Sequence, residues 1–545
     1  MPLSAFFTDA VARLSWVLTL QYVGLALLAY ITLSLIYRVV LYPRYLSPLR
    51  HIPGPPLGSV ITGQFLNIIQ SEAGILQRDW VKQYGPVVRA VGPVGIERVM
   101  LLSPEAMHKV LVSDWTEYPR PSFLRNILGI VAGYGLLTVT GNEHKQMRRA
   151  MNPAFSIPNL MAQTDMYYDS IEILIDMLHS EVKQAQASEG KAMRMYEWAS
   201  KVTLDIICDT AFGYHSNSLR DPHNELTEAY EQLLNLQTGS NLALFAAFVS
   251  TPGLPWFFCS DLGYKYRHWF QIWKPLAMGT TLIDCTHRIR NIAKRMLSEK
   301  MADMAVDVED TAAKKDIMSL LVRARRGGEK GEYKLSDDAL VEQVLTFLGA
   351  GHETTASGIS WTLWLLANDI RAQSKLREEV TAVFATNTRP DYRTLKELKM
   401  LECVVMESLR LLPPVPMTFR IAAKSDWVDG VWVPKGTLFY IPIRVINTWK
   451  EVWGENAEEF YPERWLNLPE KYNPTFSFLS FITGPHGCIG KTMSISEMKA
   501  VIAALIFHFE FVPAYEGQVA KPTAAVTMKP EDSMPLLIRP VKRTV

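Results

Sequence analysis

From Leu14 to Tyr37 the chain reads LSWVLTLQYVGLALLAYITLSLIY, an uncharged run bounded by Arg13 and Arg38. Nothing else in the sequence restricts the fold as strongly, because a helix needs about 20 predominantly apolar residues to cross a hydrocarbon core. Residues 1–42 therefore read as a membrane anchor with its span at 14–37. A buried core helix fits so long a run poorly. A cleaved signal also fits poorly, since its apolar region is shorter and follows basic residues, whereas Asp9 precedes this one. Arg38, Arg44 and Arg50 follow the span and only Arg13 precedes it, which places the remainder on the cytosolic side.

Residues 43–58 include RHIPGPPLG, where Pro53, Pro55 and Pro56 remove amide donors and neither helix nor strand continues. This segment is expected to be a stiff hinge between the anchor and a folded body at 59–545. At 545 residues the chain can bury a large core. With 56 Lys and Arg against 55 Asp and Glu it has no overall charge for nucleic acid. Cys208, Cys259, Cys285, Cys403 and Cys488 are odd in number and contain no CxxC or CxxCH spacing. That excludes a disulfide framework and suits a reducing compartment. Helical periodicity dominates, with β-like pieces at PVVRAVG and RVMLL early and DWVDGVWVPKGTLFYIPI late. The fold class is mainly α with a small β-rich portion. The charged run at 323–338 is expected to be an exposed loop, with Ser336 or Asp337 placed to cap the helix that follows.

That helix contains LTFLGAGHETTASGISW at 345–361, with Gly349 and Gly351 in its interior at a cost of about 1 kcal/mol each. Either a flat ligand approaches the backbone there or another helix crosses it. A zincin reading of His352 and Glu353 fails because Ala356 stands where HExxH requires a second His. Farther on, Glu407 and Arg410 share a helix face, and Arg464 in FYPERW is a further partner for Glu407. His144 and Arg148 are spaced i, i+4 in GNEHKQMRRAM. Finally FITGPHGCIG, 481–490, sets Cys488 among Gly484, Gly487 and Gly490, just before a segment of helical periodicity. A helix N-terminus stabilises a thiolate.

In this order the pieces resemble the cytochrome P-450 family, the haem-thiolate monooxygenases. The opening of FITGPHGCIG matches that family's F-x-x-G-x-R-x-C-x-G, except that His486 replaces the usual Arg. The resemblance implies the cytochrome P-450 fold after one transmembrane helix, and haem b as cofactor. Cys488 would be the axial ligand of the haem iron, a thiolate that favours O–O cleavage, with Gly490 beside it. AGHETT makes Glu353 and Thr354 the acid and alcohol of the oxygen-activation turn, and Glu407, Arg410 and Arg464 the structural triad. His144, in place of the usual Trp, Arg148, Arg420 and His486 would hold the propionates, and a propionate beside His486 is expected to raise its pKa.

The resemblance further implies a single-pass protein of the endoplasmic reticulum membrane, most similar to fungal microsomal members. Electrons would come from NADPH through a separate NADPH-cytochrome reductase, with cytochrome b5 as another donor, for oxygenation of a small lipophilic substrate such as a terpenoid or other secondary metabolite. The apolar segments 122–137 and 241–258 are candidate substrate walls. A haem-thiolate isomerase or dehydratase is the alternative within the fold, disfavoured by Glu353 and Thr354. A membrane haem-binding or electron-transfer protein is the alternative outside the class.

Overall fold

The computed structural model describes residues 3–185, 190–237, 241–306, 316–327, 336–523 and 526–541. Helix α1, Leu3–Ile36, continues into a wider π-helical stretch, Tyr37–Leu46. Among the described residues Leu18–Leu46 is the one segment long and apolar enough to cross a membrane, with a mean hydropathy of 2.0 and no burial across its most apolar stretch. From Leu18 to Tyr37 its exposed side chains carry no charge, as in Tyr22, Leu27 and Tyr30. Such a surface is stable in lipid, where a water-facing helix would show a polar stripe.

The chain beyond the span docks closely on the body. Ser47 is fully buried, donates to Glu97 Oε2 at 2.7 Å and caps the short turn that follows through the Leu49 amide. Arg89 donates to Glu97 Oε1 at 2.7 Å and to the Pro43 carbonyl at 2.5 Å. Leu49 and Ile52 join Val99, Leu101 and Phe439 in one apolar cluster. The segment expected to be a hinge thus has its first half packed against a sheet.

That sheet has the order β1 (Val87–Val91), β2 (Glu97–Leu101), β7 (Leu438–Ile441), β4 (Thr418–Ile421). The hairpin β1–β2 is antiparallel, β2 runs parallel to β7 with Arg98 opposite Leu438, and β4 returns antiparallel with Arg420 opposite Phe439. The early and late β-like sequences therefore meet in one sheet. β3 (Lys191–Arg194), β9 (Pro535–Pro540) and β8 (Phe509–Pro513) form a second sheet. β5 (Asp426–Val428) and β6 (Val431–Val433) form a hairpin whose turn, Asp429-Gly430, has φ of 48° and 73°. Positive φ at both positions is what a two-residue type I′ turn needs.

The rest is helical. The helices that matter for the site are α2 (Ser122–Ala132), α3 (Gly141–Met151), α4 (Met195–Ile207), α5 (Asp337–Asn368), α6 (Lys399–Leu411) and α7 (Lys491–His508). α5 runs through the core. It starts where the sequence predicts, with the Ser336 hydroxyl accepting from the Ala339 amide and Asp337 and Asp338 in the first turn. The charged run before it differs from the expected loop: residues 323–327 end the helix Ile317–Gly327, and 328–335 lie outside the described residues. Gly349 and Gly351 of α5 serve helix crossings. A Cβ on Gly349 would lie 2.9 Å from the Ala132 Cβ, and one on Gly351 would lie 2.8 Å from Ile207 Cγ1. They bring α2 and α4 against α5, so close helix packing accounts for them.

Candidate functional site

Cys488 sits in a loop folded back on itself. Its amide donates to the Phe481 carbonyl at 2.8 Å, and the Gly487 amide donates to the Gly484 carbonyl at 2.9 Å. Gly484 is required: its φ is 72°, and a Cβ would lie 2.1 Å from the Leu111 carbonyl. Gly490 is not constrained in that way, since a Cβ there would meet only Phe155 at 3.9 Å. Its contribution is its amide, which hydrogen-bonds the Cys488 thiol at the head of α7. Cys488 keeps an exposed face within a crowded surround. Burial pushes its thiol up, and the Gly490 amide, Arg148 and Lys491 oppose that rise.

Beside this loop lies a set of basic side chains with which, among the described residues, no carboxylate pairs. The His144 and His486 rings are 4.1 Å apart, with Trp115 edge-on to both. Arg120 meets His486 Nδ1 at 2.9 Å, Arg148 donates to the Gly487 carbonyl at 2.5 Å, and among the described residues Arg420 bonds only the Thr418 hydroxyl and the Phe419 carbonyl of its own strand. His486 Nε2 and His144 Nδ1 are buried and have no protein partner. Burial, then Arg120 and Arg148, pulls His144 down to about 4. Burial also lowers Arg120 to about 10, with Arg125 and Arg148 adding to the effect, and lowers Arg420 well below its ordinary value, with Arg120 adding.

His486 is driven far down by burial first, then by Arg120, Arg420, His144 and Arg148. Among the protein's own groups, burial and the surrounding guanidinium groups favour the neutral imidazole, and the rise expected from a propionate would work against them. One buried and two half-buried guanidinium groups around two orphaned ring nitrogens fit an anionic ligand, and the propionates of haem match that donor set. Sequence reasoning found His144, Arg148, Arg420 and His486 but missed Arg120 and Trp115, which belong to no motif.

On α5, Ala350, Gly351 and Thr354 are only half-buried in an otherwise buried stretch, so one face of this turn is open. Thr354 donates to the Ala350 carbonyl at 2.8 Å, and Thr355 donates to that of Gly351 at 2.9 Å. Glu353 is buried and lies on another side. Its Oε1 accepts from Tyr196 of α4 at 2.6 Å and from Thr527 at 2.9 Å, while Oε2 is buried without a partner. The Glu353 carboxylate and the Thr354 hydroxyl therefore do not bond each other. Tyr196 and Thr527, remote in sequence, gave no signal. Farther toward the start of α5, the Glu342–Arg290 pair borders a cavity of about 490 Å³ between the two apolar segments read as substrate walls, with Asn126, Tyr134 and Trp256 also lining it.

Glu407, Arg410 and Arg464 come together with side chains almost fully buried. Arg410 grips both Glu407 oxygens, at 2.8 and 2.9 Å, and its Nη1 donates to the carbonyls of Asn447 and Ala457. Arg464, Trp465 and the Tyr461 amide complete the carboxylate's shell. From there the bonds lead to the Cys488 backbone: Asn447 holds the Leu479 amide and the Ser480 hydroxyl, and the next carbonyl, Phe481, accepts from the Cys488 amide. This ion pair therefore fixes the Cys488 loop, unlike a solvated surface pair.

A family model described as Cytochrome P450 matches residues 53–536. Cytochrome P450 monooxygenase 128 of Postia placenta is 34% identical over 95% of this chain and 97% of its own length. Cytochrome P450 monooxygenase 205 of the same fungus is 32% identical, covering 91% and 93%. Cytochrome P450 monooxygenase sphH of Aspergillus fumigatus is 30% identical, covering 93% and 91%.

Proposed function

Because the chain belongs to the cytochrome P450 family of haem-thiolate monooxygenases, we propose that it inserts one oxygen atom of dioxygen into a small lipophilic substrate, a terpenoid or other secondary metabolite. NADPH supplies the electrons through a separate NADPH-cytochrome reductase, with cytochrome b5 as a second donor. The observation that carries the reading is the Cys488 loop, held by the Glu407 network beside that set of basic side chains.

In this reading Cys488 binds the haem iron, and Arg120, Arg148, Arg420, His144 and His486 hold the propionates. Bound there, haem supplies dioxygen activation, which a thiolate ligand promotes by donating electron density. The chain's part is orientation and proton supply. The Gly490 amide and the positive end of α7 favour the thiolate. Thr354, on the open face of α5, holds a water at its hydroxyl oxygen, and Glu353 is the buried acid of the same turn. The apolar residues of α2 and of Asn241–Ser250 exclude water and receive the substrate. With α1 in the membrane, we place the chain in the endoplasmic reticulum with its body in the cytosol. Co-expression with a reductase and a panel of lipophiles tests the reading. Products heavier by one oxygen, formed only with NADPH, support it, and their absence across terpenoids and other lipophiles counts against it.

A further inference from the structure

The two oxygens of the Glu353 carboxyl are held unequally. Oε1 accepts from the Tyr196 hydroxyl at 2.6 Å and from the Thr527 hydroxyl at 2.9 Å, while Oε2 is buried with no partner among the described residues. All three side chains are buried. Backbone bonds hold both donors in place. The Met195 and Tyr196 amides donate to the Met534 and Ser533 carbonyls at 2.9 and 3.1 Å. The Met528 carbonyl, next to Thr527, accepts from the Ser357 hydroxyl at 2.9 Å and from the Trp361 indole at 2.6 Å. On α5 itself, the His352 carbonyl accepts from Thr203 of α4 at 3.1 Å. Three separate stretches of chain therefore fix the orientation of this carboxyl.

The inequality decides where a proton can sit. Burial, followed by Glu353 itself, pushes the Tyr196 phenol far up, so it remains a donor. Among the described residues neither the Tyr196 nor the Thr527 hydroxyl has a second acceptor. A proton on Oε1 would turn one of these donors away from the carboxyl and leave a buried O–H without an acceptor. A proton on Oε2 keeps both bonds and leaves the acid O–H free to donate to water. The other titratable groups around the carboxyl are Lys529, Glu231 and His352. Lys529 donates to Asn235 at 3.2 Å, and His352 Nδ1 faces the Leu348 carbonyl at 2.7 Å. Among the described residues none of the three bonds Glu353.

We propose that Tyr196 and Thr527 are positioning residues for proton supply: by occupying Oε1 they confine the carboxyl proton of Glu353 to Oε2, from which it passes to water. In that step the Oε2–H bond breaks, the water gains the proton, and the carboxylate left behind keeps both hydroxyl bonds, now strengthened by its charge. This deepens the monooxygenase reading and rests on it, since it takes Glu353 as the acid of that reaction. Both hydroxyls act through Glu353.

The first test is infrared difference spectroscopy of the full-length, haem-loaded protein, which needs neither NADPH nor dioxygen. Acidification should bring up a carbonyl band that Glu353→Gln removes, and that band should lie low because its oxygen accepts two bonds. Tyr196→Phe and Thr527→Val should each move it to higher wavenumber, and Thr527→Ser should leave it in place. With the proton on Oε1 the carbonyl would be Oε2, and neither substitution would raise the band. That result, or no Glu353 band at any pH at which haem is retained, overturns the proposal. The second test is peroxide formed per NADPH, with a reductase and with farnesol as the added lipophile. Tyr196→Phe and Thr527→Val should raise it about threefold or more, Thr527→Ser should keep the wild-type value, and neither Tyr196→Phe nor Thr527→Val should add to the effect of Glu353→Gln. The isosteric Thr527→Val decides the matter if Tyr196→Phe does not fold. An equal rise in the Glu353→Gln background would reveal a structural effect and overturn the proposal. Absence of NADPH oxidation by the wild type overturns the monooxygenase reading, whereas an unmoved infrared band overturns the proposal alone.

Discussion

At position 354 the hydroxyl is committed as a donor to the Ala350 carbonyl, so what it offers the open face of α5 is an acceptor oxygen. A water held there can relay a proton without Thr354 itself ionising. Thr354→Ala keeps the helix, because the lost bond is only a side-chain return to the previous turn. It should therefore still consume NADPH but divert it to hydrogen peroxide, lowering product per NADPH by about tenfold or more. Parallel assays of NADPH, peroxide and product check this, and unchanged coupling would remove Thr354 from proton delivery. Glu353 lies elsewhere, its carboxylate held by Tyr196 of α4 and by Thr527.

Between elements, the connection that matters runs from α6 to the Cys488 loop. Arg410→Leu would leave the Glu407 carboxylate buried without its main partner, at a cost of about 3–5 kcal/mol. It would also release the Asn447 carbonyl, the first step toward Leu479, Ser480 and the thiol loop. The variant should lose haem during purification as well as stability, measured by haem absorbance per protein and by urea unfolding. A stable variant with full haem would reduce the ion pair to a bystander. Much of this scale is legible in the sequence. Ser336 before Asp337-Asp338 marks the start of α5, Asp429-Gly430 marks a hairpin turn, and the spacing of Glu407 and Arg410 marks a pair. What the sequence does not contain is the distant partner. The cost of Gly349 and Gly351 is readable, yet its cause is Ala132 and Ile207, more than a hundred residues earlier. Arg120 reads as a loop cation until folding sets it on His486, and the full burial of Glu407 and Arg410 likewise depends on elements that meet only in three dimensions.

Across the whole molecule, anchor and body are joined more firmly than a free strap would allow, because Pro43, Ser47 and Leu49 pack on the sheet that also carries Arg98 and Arg420. Truncation to residue 36 should weaken membrane association and leave haem content and thermal stability unchanged. Truncation to residue 46 should also destabilise the body, since Arg89 then loses its carbonyl partner, a charged hydrogen bond worth about 1.5–3 kcal/mol. Equal stability of the two truncations would show the packed segment to be dispensable. The central claim, that this fold exists to present one cysteine sulfur to haem iron, is tested most directly by the carbon monoxide difference spectrum of the reduced, purified chain. The wild type should show the red-shifted Soret band that thiolate ligation would produce, and Cys488→Ala, with its circular dichroism unchanged, should lose it. A red-shifted band that persists in Cys488→Ala would contradict the account.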